Sequence, residues 1–189
     1  MSQFPIHTLD TAPADSKPHL LALQQSAGMI PNLAAGMAES PGLIAGFLAV
    51  RDLYAKGTFT GAEVQVLSLT AALENDCGWC MAFHTAMARK EGVSSANVEA
   101  LRDGRTPPDA KFGALSDFAR EMVRSRGAVS RPTLQRFLDA GYTRAQALEV
   151  ILGMAFSLMA NYAGHIVNPA LDAPLQPHAW ERSALVVSS

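Results

Sequence analysis

Residues 74–84, with the sequence ENDCGWCMAFH, contain both cysteines of the chain, Cys77 and Cys80, and His84 four residues after the second cysteine. Thiols at Cys-x-x-Cys spacing can form a small disulfide or share a metal ion. If the chain is helical from Cys77 onward, Cys80 and His84 lie one turn apart on the same helix face. An imidazole in that position can accept the thiol proton and leave a thiolate, which is the nucleophilic form of cysteine. The stretch therefore predicts thiol chemistry near the start of a helix.

This stretch joins two predicted helices. Thr60 is predicted to cap the first, which runs to about Asp76 and is apolar on nearly all sides, as is typical of a buried helix. The second is predicted over residues 78–91. Because the two helices meet near Asp76 and are expected to be antiparallel, residues 63–67 should lie alongside His84, within reach of a long side chain or one water.

The rest of the chain also shows helical periodicity, and no segment alternates convincingly as a strand does. The sequence therefore predicts an all-α fold, a single-domain helical bundle of eight or nine helices. Residues 1–16 are expected to form an N-terminal arm, 17–167 the helical core and 168–189 an extended C-terminal tail. The remaining helices are predicted at 17–26, 32–39 (capped by Asn32), 40–57, 94–102, 109–126, 130–140 and 143–167.

The last predicted helix carries no charged residue between Glu149 and His165. This run is shorter than the roughly 20 residues that span a bilayer, so we expect a core or subunit-interface helix. His165 alone on such a helix is expected to be a hydrogen-bonded core histidine. Asn161 and His165 also repeat the spacing of Cys80 and His84. An old duplication and chance similarity between two apolar helices explain this echo equally well.

The composition sets limits on the class of protein. With 189 residues, of which 49% are hydrophobic, the chain is long enough for one domain with a substantial core. A formal net charge of −2 argues against a nucleic-acid partner, which usually requires a basic surface. Two adjacent cysteines do not form a secreted disulfide framework, and residues 1–15 lack the basic and apolar regions of a signal peptide. We therefore expect a cytoplasmic protein without a membrane partner.

The residues themselves leave open which cysteine is the nucleophile. Cys77 lies where the second helix begins, and a helix N-terminus lowers the pKa of a thiol. His84 instead favours Cys80, which lies one turn away on the same face. Two thiols allow one to attack a peroxide oxygen and become a sulfenic acid, which the other converts to a disulfide.

Other interpretations of the cysteine pair carry less weight. Closed zinc sites usually need four ligands, and only three candidates cluster here, so neither a metal nor another cofactor is expected. Buried structural cysteines would explain Cys-x-x-Cys alone, but the added histidine favours chemistry. A thioredoxin-like fold places its motif after a strand, and no strand is predicted.

The sequence resembles the alkyl hydroperoxidase D/carboxymuconolactone decarboxylase-like superfamily, in particular its peroxidase-related branch. The resemblance covers about residues 20–175. Besides the cysteine motif, it rests on GMIPNL at 28–33, ESPGL at 39–43, FLDAGYT at 137–143 and NYAGH at 161–165. It implies an all-helical fold and a homo-oligomer, a trimer or a hexamer, packed through long helices.

The resemblance implies a thiol-dependent peroxidase that acts on a hydroperoxide and is recharged by an external dithiol reductant. In this scheme Cys80 attacks the peroxide, Cys77 resolves the product to a disulfide and His84 accepts the proton. The decarboxylase branch lacks the two-cysteine motif, so lactone decarboxylation is disfavoured.

One departure from the family pattern concerns the proton relay. The family has a glutamate twelve residues before the first cysteine, where this chain has Gln65. Either Glu63 or Glu74 replaces it, or the relay is weaker, because a glutamine can hold an imidazole but cannot stabilise its cation. The departure keeps a second function open, that of a non-catalytic oligomeric protein that binds a ligand or senses oxidants on the same scaffold.

Overall fold

The computed structural model describes residues 3–182, which contain nine α-helices, two 3-10 helices (Ala14–Ser16 and Ala173–His178) and no strand. The predicted all-α fold is therefore confirmed. The α-helices are α1 (Lys17–Ala27), α2 (Asn32–Met37), α3 (Pro41–Tyr54), α4 (Gly61–Glu74), α5 (Gly78–Lys90), α6 (Ser95–Arg102), α7 (Ala110–Arg124), α8 (Arg131–Asp139) and α9 (Arg144–Val167).

Most helices begin at a residue whose side chain accepts a hydrogen bond from a backbone N–H of the first turn. The hydroxyl of Ser40 caps α3, and Thr60 caps α4 in a reciprocal capping box with Glu63. The predicted cap at Asn32 is wrong, because Pro31 occupies the cap position with an extended backbone and Asn32 is already helical. The Asn32 side chain instead donates to the carbonyl oxygen of Ala170 at 3.0 Å.

The centre of the core is α4, which packs against α5, α7 and α9. Its large apolar side chains are almost completely buried, as its apolar pattern on nearly all sides predicts: Val66, Leu67, Leu69 and Leu73. Because α4 is enclosed by its neighbours, the residues that directly follow α4 also lie inside the protein. These residues are the cysteine motif.

The longest helix, α9, packs against α2, α3 and α4 on one side. By length and composition it could cross a membrane, but core helices share these properties, so this is weak evidence. Its other side exposes a stripe of large apolar side chains, Leu148, Ile151, Leu158, Tyr162 and Ile166. This apolar stripe is a surface through which the subunits of the predicted homo-oligomer could pack. The homo-oligomer itself stays a prediction.

Both terminal segments pack on the helical core of their own chain. In the predicted arm, the hydroxyl of Ser16 is buried and donates to the Ala38 carbonyl oxygen at 2.6 Å. The predicted extended tail is wrong over Ala173–His178, which forms a 3-10 helix whose first turn bonds Leu175 N–H to the Asp172 carbonyl. The part of the predicted tail at 183–189 lies outside the described residues.

Candidate active site

The chain reverses sharply between α4 and α5, and this turn places the first cysteine. Asp76 has a left-handed backbone with φ of 53°, which a short polar residue tolerates better than most. The N–H groups of Asp76 and Cys77 bond back to the carbonyls of Leu73 and Ala72 at 3.1 and 2.9 Å, which is a Schellman ending of α4. Cys77 thereby becomes the N-cap residue of α5.

The two cysteines are reduced, buried and in contact with each other. Cys77 is 3% exposed and Cys80 is 1% exposed. The Cys80 N–H donates to Cys77 Sγ at 3.3 Å, so this sulfur takes the acceptor position that serine or aspartate usually fills at a helix start. A hydrogen bond from the Cys80 thiol lowers the pKa of Cys77, against the effect of burial. The same bond, together with burial and the charge of Cys77, raises the pKa of Cys80 well above its usual value.

The other wall of the thiol site comes from α9. Asn161 is buried, its side-chain oxygen accepts from the Asn75 amide at 3.0 Å, and its side chain contributes to lowering the pKa of both thiols. At Gly164 a Cβ atom would lie 2.7 Å from Cys77 Sγ and 4.0 Å from Cys80 Sγ, so any larger residue would displace the nearer sulfur. Neither of these two residues was predicted from the sequence to belong to the site. Two signals pointed to this part of α9: the Asn161–His165 spacing and the NYAGH segment at 161–165 that contributes to the resemblance.

His84 lies one turn after Cys80 on α5 and faces α4. Its Nδ1 is 2.9 Å from Oε1 of Gln65, which confirms that residues 63–67 lie alongside it. Because an amide oxygen only accepts, Nδ1 carries the proton and Nε2 of the neutral ring has a free lone pair. Burial lowers the pKa of His84 to about 4. The imidazole is therefore neutral near pH 7 and able to accept a proton, but no carboxylate stabilises its cation.

A pocket of about 490 Å³ opens over the start of α5. Cys77, Trp79, His165 and Trp180 line it. The expected core position of His165 is wrong, because the residue is exposed, although its Nε2 does donate to the Asn75 carbonyl at 2.5 Å. The pocket thus connects one of the two sulfurs to the surface beside an imidazole.

The C-terminal segment, defined here as residues 168–182, forms the outer wall of this pocket. The Trp79 indole N–H donates to Asp172 at 3.0 Å, and the Trp180 indole N–H donates to the Arg102 carbonyl at 3.1 Å. The Trp180 carbonyl would lie 3.3 Å from a Cβ placed on Gly78, so the segment runs directly over the first residue of α5. No functional residue was predicted in this segment from the sequence.

Comparison with known proteins finds a family match over part of the chain and a shared fold over most of it. Residues 41–121 match the Carboxymuconolactone decarboxylase family. The fold matches that of a peroxidase-related protein with an alkylhydroperoxidase core from Ralstonia eutropha JMP134, with a TM-score of 0.81 and 20% identity over 92% of this chain and 94% of that one. The chain has an alkyl hydroperoxidase D-like fold.

Two further structures share the fold of this protein. A peroxidase-related protein from Silicibacter sp. TM1040 has a TM-score of 0.74 and 18% identity over 92% of each chain. The debrominase Bmp8, as a cysteine-to-alanine variant in complex with 2,3,4-tribromopyrrole, has a TM-score of 0.75 and 15% identity over 94% of this chain and 97% of that one. At these identities the likeness shows the fold alone. The comparison with curated proteins found no significant match.

The two carboxylates that could have replaced the glutamate of the resembled family have other partners in this protein. Glu63 bonds to Thr60 in the capping box of α4 and pairs with Lys111 at 2.9 Å. Glu74 pairs with Arg120 at 3.1 Å and Arg124 at 2.6 Å. Among the predicted relay residues, Gln65 is the one whose side chain meets the imidazole of His84. Within residues 3–182 no group of three or more His, Cys, Asp or Glu side chains is arranged to hold a metal ion.

Burial of a neutral imidazole predicts an acid-sensitive fold. The pKa of His84 falls from 6.5, the ordinary value of an exposed imidazole, to about 4 in the folded protein, so the unfolded chain binds the proton first as the pH falls. The free energy of unfolding should therefore fall by about 3 kcal/mol between pH 7 and pH 4 on account of this one group. Urea unfolding of the wild type and of His84→Asn, each at pH 7 and pH 4, isolates the contribution of His84 to this loss of stability. If the free energy of unfolding fell equally in the two proteins between pH 7 and pH 4, the lowered pKa of His84 would be contradicted.

Proposed function

We propose that the protein is a thiol-dependent hydroperoxide reductase that cycles through a Cys77–Cys80 disulfide, with His84 as proton acceptor. The observation that carries the proposal is the pair of reduced, buried thiols joined by the bond from the Cys80 N–H to Cys77 Sγ, with the pKa of Cys77 lowered and that of Cys80 raised. A low pKa supplies the attacking thiolate, and a second thiol in contact supplies the partner that closes the disulfide.

The reaction balances with two thiols and one hydroperoxide. A thiolate attacks the terminal oxygen of ROOH, the O–O bond breaks, and a sulfenic acid and an alkoxide result; the alkoxide takes a proton and leaves as an alcohol. The second sulfur then attacks the sulfenic sulfur, the S–O bond breaks and water leaves with the thiol proton. The free Nε2 of His84 can hold that proton during the transfer. An external dithiol returns two electrons and two protons to the disulfide.

Steady-state peroxide consumption tests the proposal. The reduced protein, given cumene hydroperoxide and excess dithiothreitol, should consume many equivalents of peroxide per chain. Without reductant it should lose two hydrogen atoms per chain by mass spectrometry, as one disulfide forms. Without reductant, neither Cys77→Ser nor Cys80→Ser should lose two hydrogen atoms, because neither can close the disulfide. An inert dithiol in the wild type would refute the proposal.

The alternative is a redox sensor, in which the pair is oxidised once and does not turn over. Gln65 favours it, because an amide leaves His84 a weak base. The same assay separates the two functions: a sensor would consume one equivalent of peroxide per chain and stop even with dithiothreitol present. The cytoplasmic location, the homo-oligomer and the use of an external dithiol reductant belong to the proposal as predictions.

A further inference from the structure

We infer that Cys77, and not Cys80, attacks the hydroperoxide, which reaches it through the pocket beneath the C-terminal segment, and that His165 is a further residue of this reaction. The inference rests on the proposed function, because it assumes a peroxidase that closes a disulfide. It reverses the order of the two cysteines that the family resemblance implies.

Access is the first argument. Cys77 lines the 490 Å³ pocket, whereas Cys80 does not. Cys80 is 1% exposed and lies one turn into α5, and a Cβ placed on Gly164 would lie 4.0 Å from its sulfur but 2.7 Å from that of Cys77. A peroxide oxygen that enters from this pocket therefore meets the sulfur of Cys77 first.

The environment of the two sulfurs is the second argument. Cys77 Sγ accepts the Cys80 N–H at the start of α5, where the helix dipole favours a negative charge. Cys80 is placed as the donor toward this sulfur, and its raised pKa keeps it protonated. A protonated thiol suits the second step, in which it must lose its proton only when it attacks the sulfenic acid. His84, one turn after Cys80, is placed to accept that proton.

The imidazole of His165 is the third argument. It lines the same pocket as Cys77, and its charge contributes to lowering the pKa of that thiol. Because Nε2 donates to the Asn75 carbonyl, Nδ1 is the ring atom that can take up and release a further proton. As the Cys77 S–O bond forms and the O–O bond breaks, this proton can pass to the leaving alkoxide. His165 is exposed, so solvent can supply the next proton.

The walls of the pocket indicate the kind of hydroperoxide. Trp79 and Trp180 supply aromatic surface, and Asp76 and Glu181 supply carboxylates. Indole rings bury apolar groups, whereas the charged groups at the pocket are of both signs, because Asp76 pairs with Arg182 at 3.1 Å and His165 also lines the pocket. The pocket therefore suits an organic hydroperoxide with an apolar group, for which cumene hydroperoxide is a suitable probe.

Single-cysteine variants test the order of attack. Cys80→Ser leaves Cys77, and Cys77→Ser leaves Cys80; each is treated with cumene hydroperoxide and dimedone, which traps a sulfenic acid for mass spectrometry. We expect Cys77 to be labelled at least about tenfold faster than Cys80. Faster labelling of Cys80 would overturn the inference. In that case, turnover of peroxide by the wild type in the same preparation would still support the proposed function. A wild type that does not react would contradict both the inference and the proposed function.

Two further measurements complete the test. In the wild type, limited iodoacetamide at pH 7 should modify Cys77 before Cys80, and fragment masses show which cysteine is modified. Because this protein contains both cysteines, the result is free of any effect of a serine substitution on the remaining thiol. His165→Gln in the Cys80→Ser protein should slow labelling of Cys77 about tenfold. The same change should leave Cys80 labelling in Cys77→Ser unaltered, and His19→Gln on α1 is the matched control. Unchanged Cys77 labelling in His165→Gln would remove His165 from the reaction.

Discussion

His84→Gln should lower steady-state peroxide turnover by about a hundredfold or more, because a positioned proton acceptor contributes at least that much to such reactions. The glutamine can still hydrogen-bond to Gln65 but has no free imidazole nitrogen. If His84 serves Cys80, the block falls on disulfide closure. A sulfenic acid on Cys77 should then accumulate and be trapped by dimedone, which a general loss of structure would not produce.

The matched variant for this prediction is Gln65→Glu. A carboxylate 2.9 Å from Nδ1, in place of the amide oxygen, would stabilise the imidazolium and raise the pKa of His84 above its present value of about 4. The stronger base should speed disulfide closure. If His84→Gln left turnover unchanged, the imidazole would have no part in the reaction. If it blocked the first oxidation instead, the attack by Cys80 that the resemblance implies would be the better account.

Glu74→Gln should lower the free energy of unfolding by about 2 kcal/mol, because it removes a buried carboxylate that bonds to two arginines and leaves Arg120 paired with Asp117, at 3.3 Å. The Glu74 side chain is 7% exposed and that of Arg120 is 14% exposed. Arg124 bonds to the same carboxylate at 2.6 Å, so one substitution disturbs two guanidinium groups between α4 and α7. Urea unfolding at pH 7 measures the loss.

An exposed ion pair provides the control for Glu74. Arg105 and Asp103 pair at 2.8 Å with both side chains largely exposed, and Arg105→Gln should cost under about 1 kcal/mol. Peroxide turnover per folded molecule of Glu74→Gln should match the wild type, because Glu74 is engaged with the arginines and not with His84. If Glu74→Gln had normal stability but no peroxide turnover, Glu74 would be assigned to the proton relay.

The sequence alone determined the features that depend on neighbours along the chain. Serine and threonine caps, prolines in first turns and apolar periodicity mark most helix boundaries, because these interactions act within one or two turns. The same local geometry put His84 one turn from Cys80. The antiparallel return after Asp76 then brought Gln65 within 2.9 Å of His84, since only a short turn separates α4 from α5.

Only the tertiary structure decided which distant residues complete the site. Asn161 meets Asn75 across 86 positions of sequence, and Trp79 meets Asp172 across 93. Pairing of this kind depends on how α9 and the C-terminal segment pack over α5, which no local pattern encodes. The tertiary fold also drew Glu63 and Glu74 to Lys111 and to the arginines of α7, because a buried carboxylate requires a cation or hydrogen-bond donors near it.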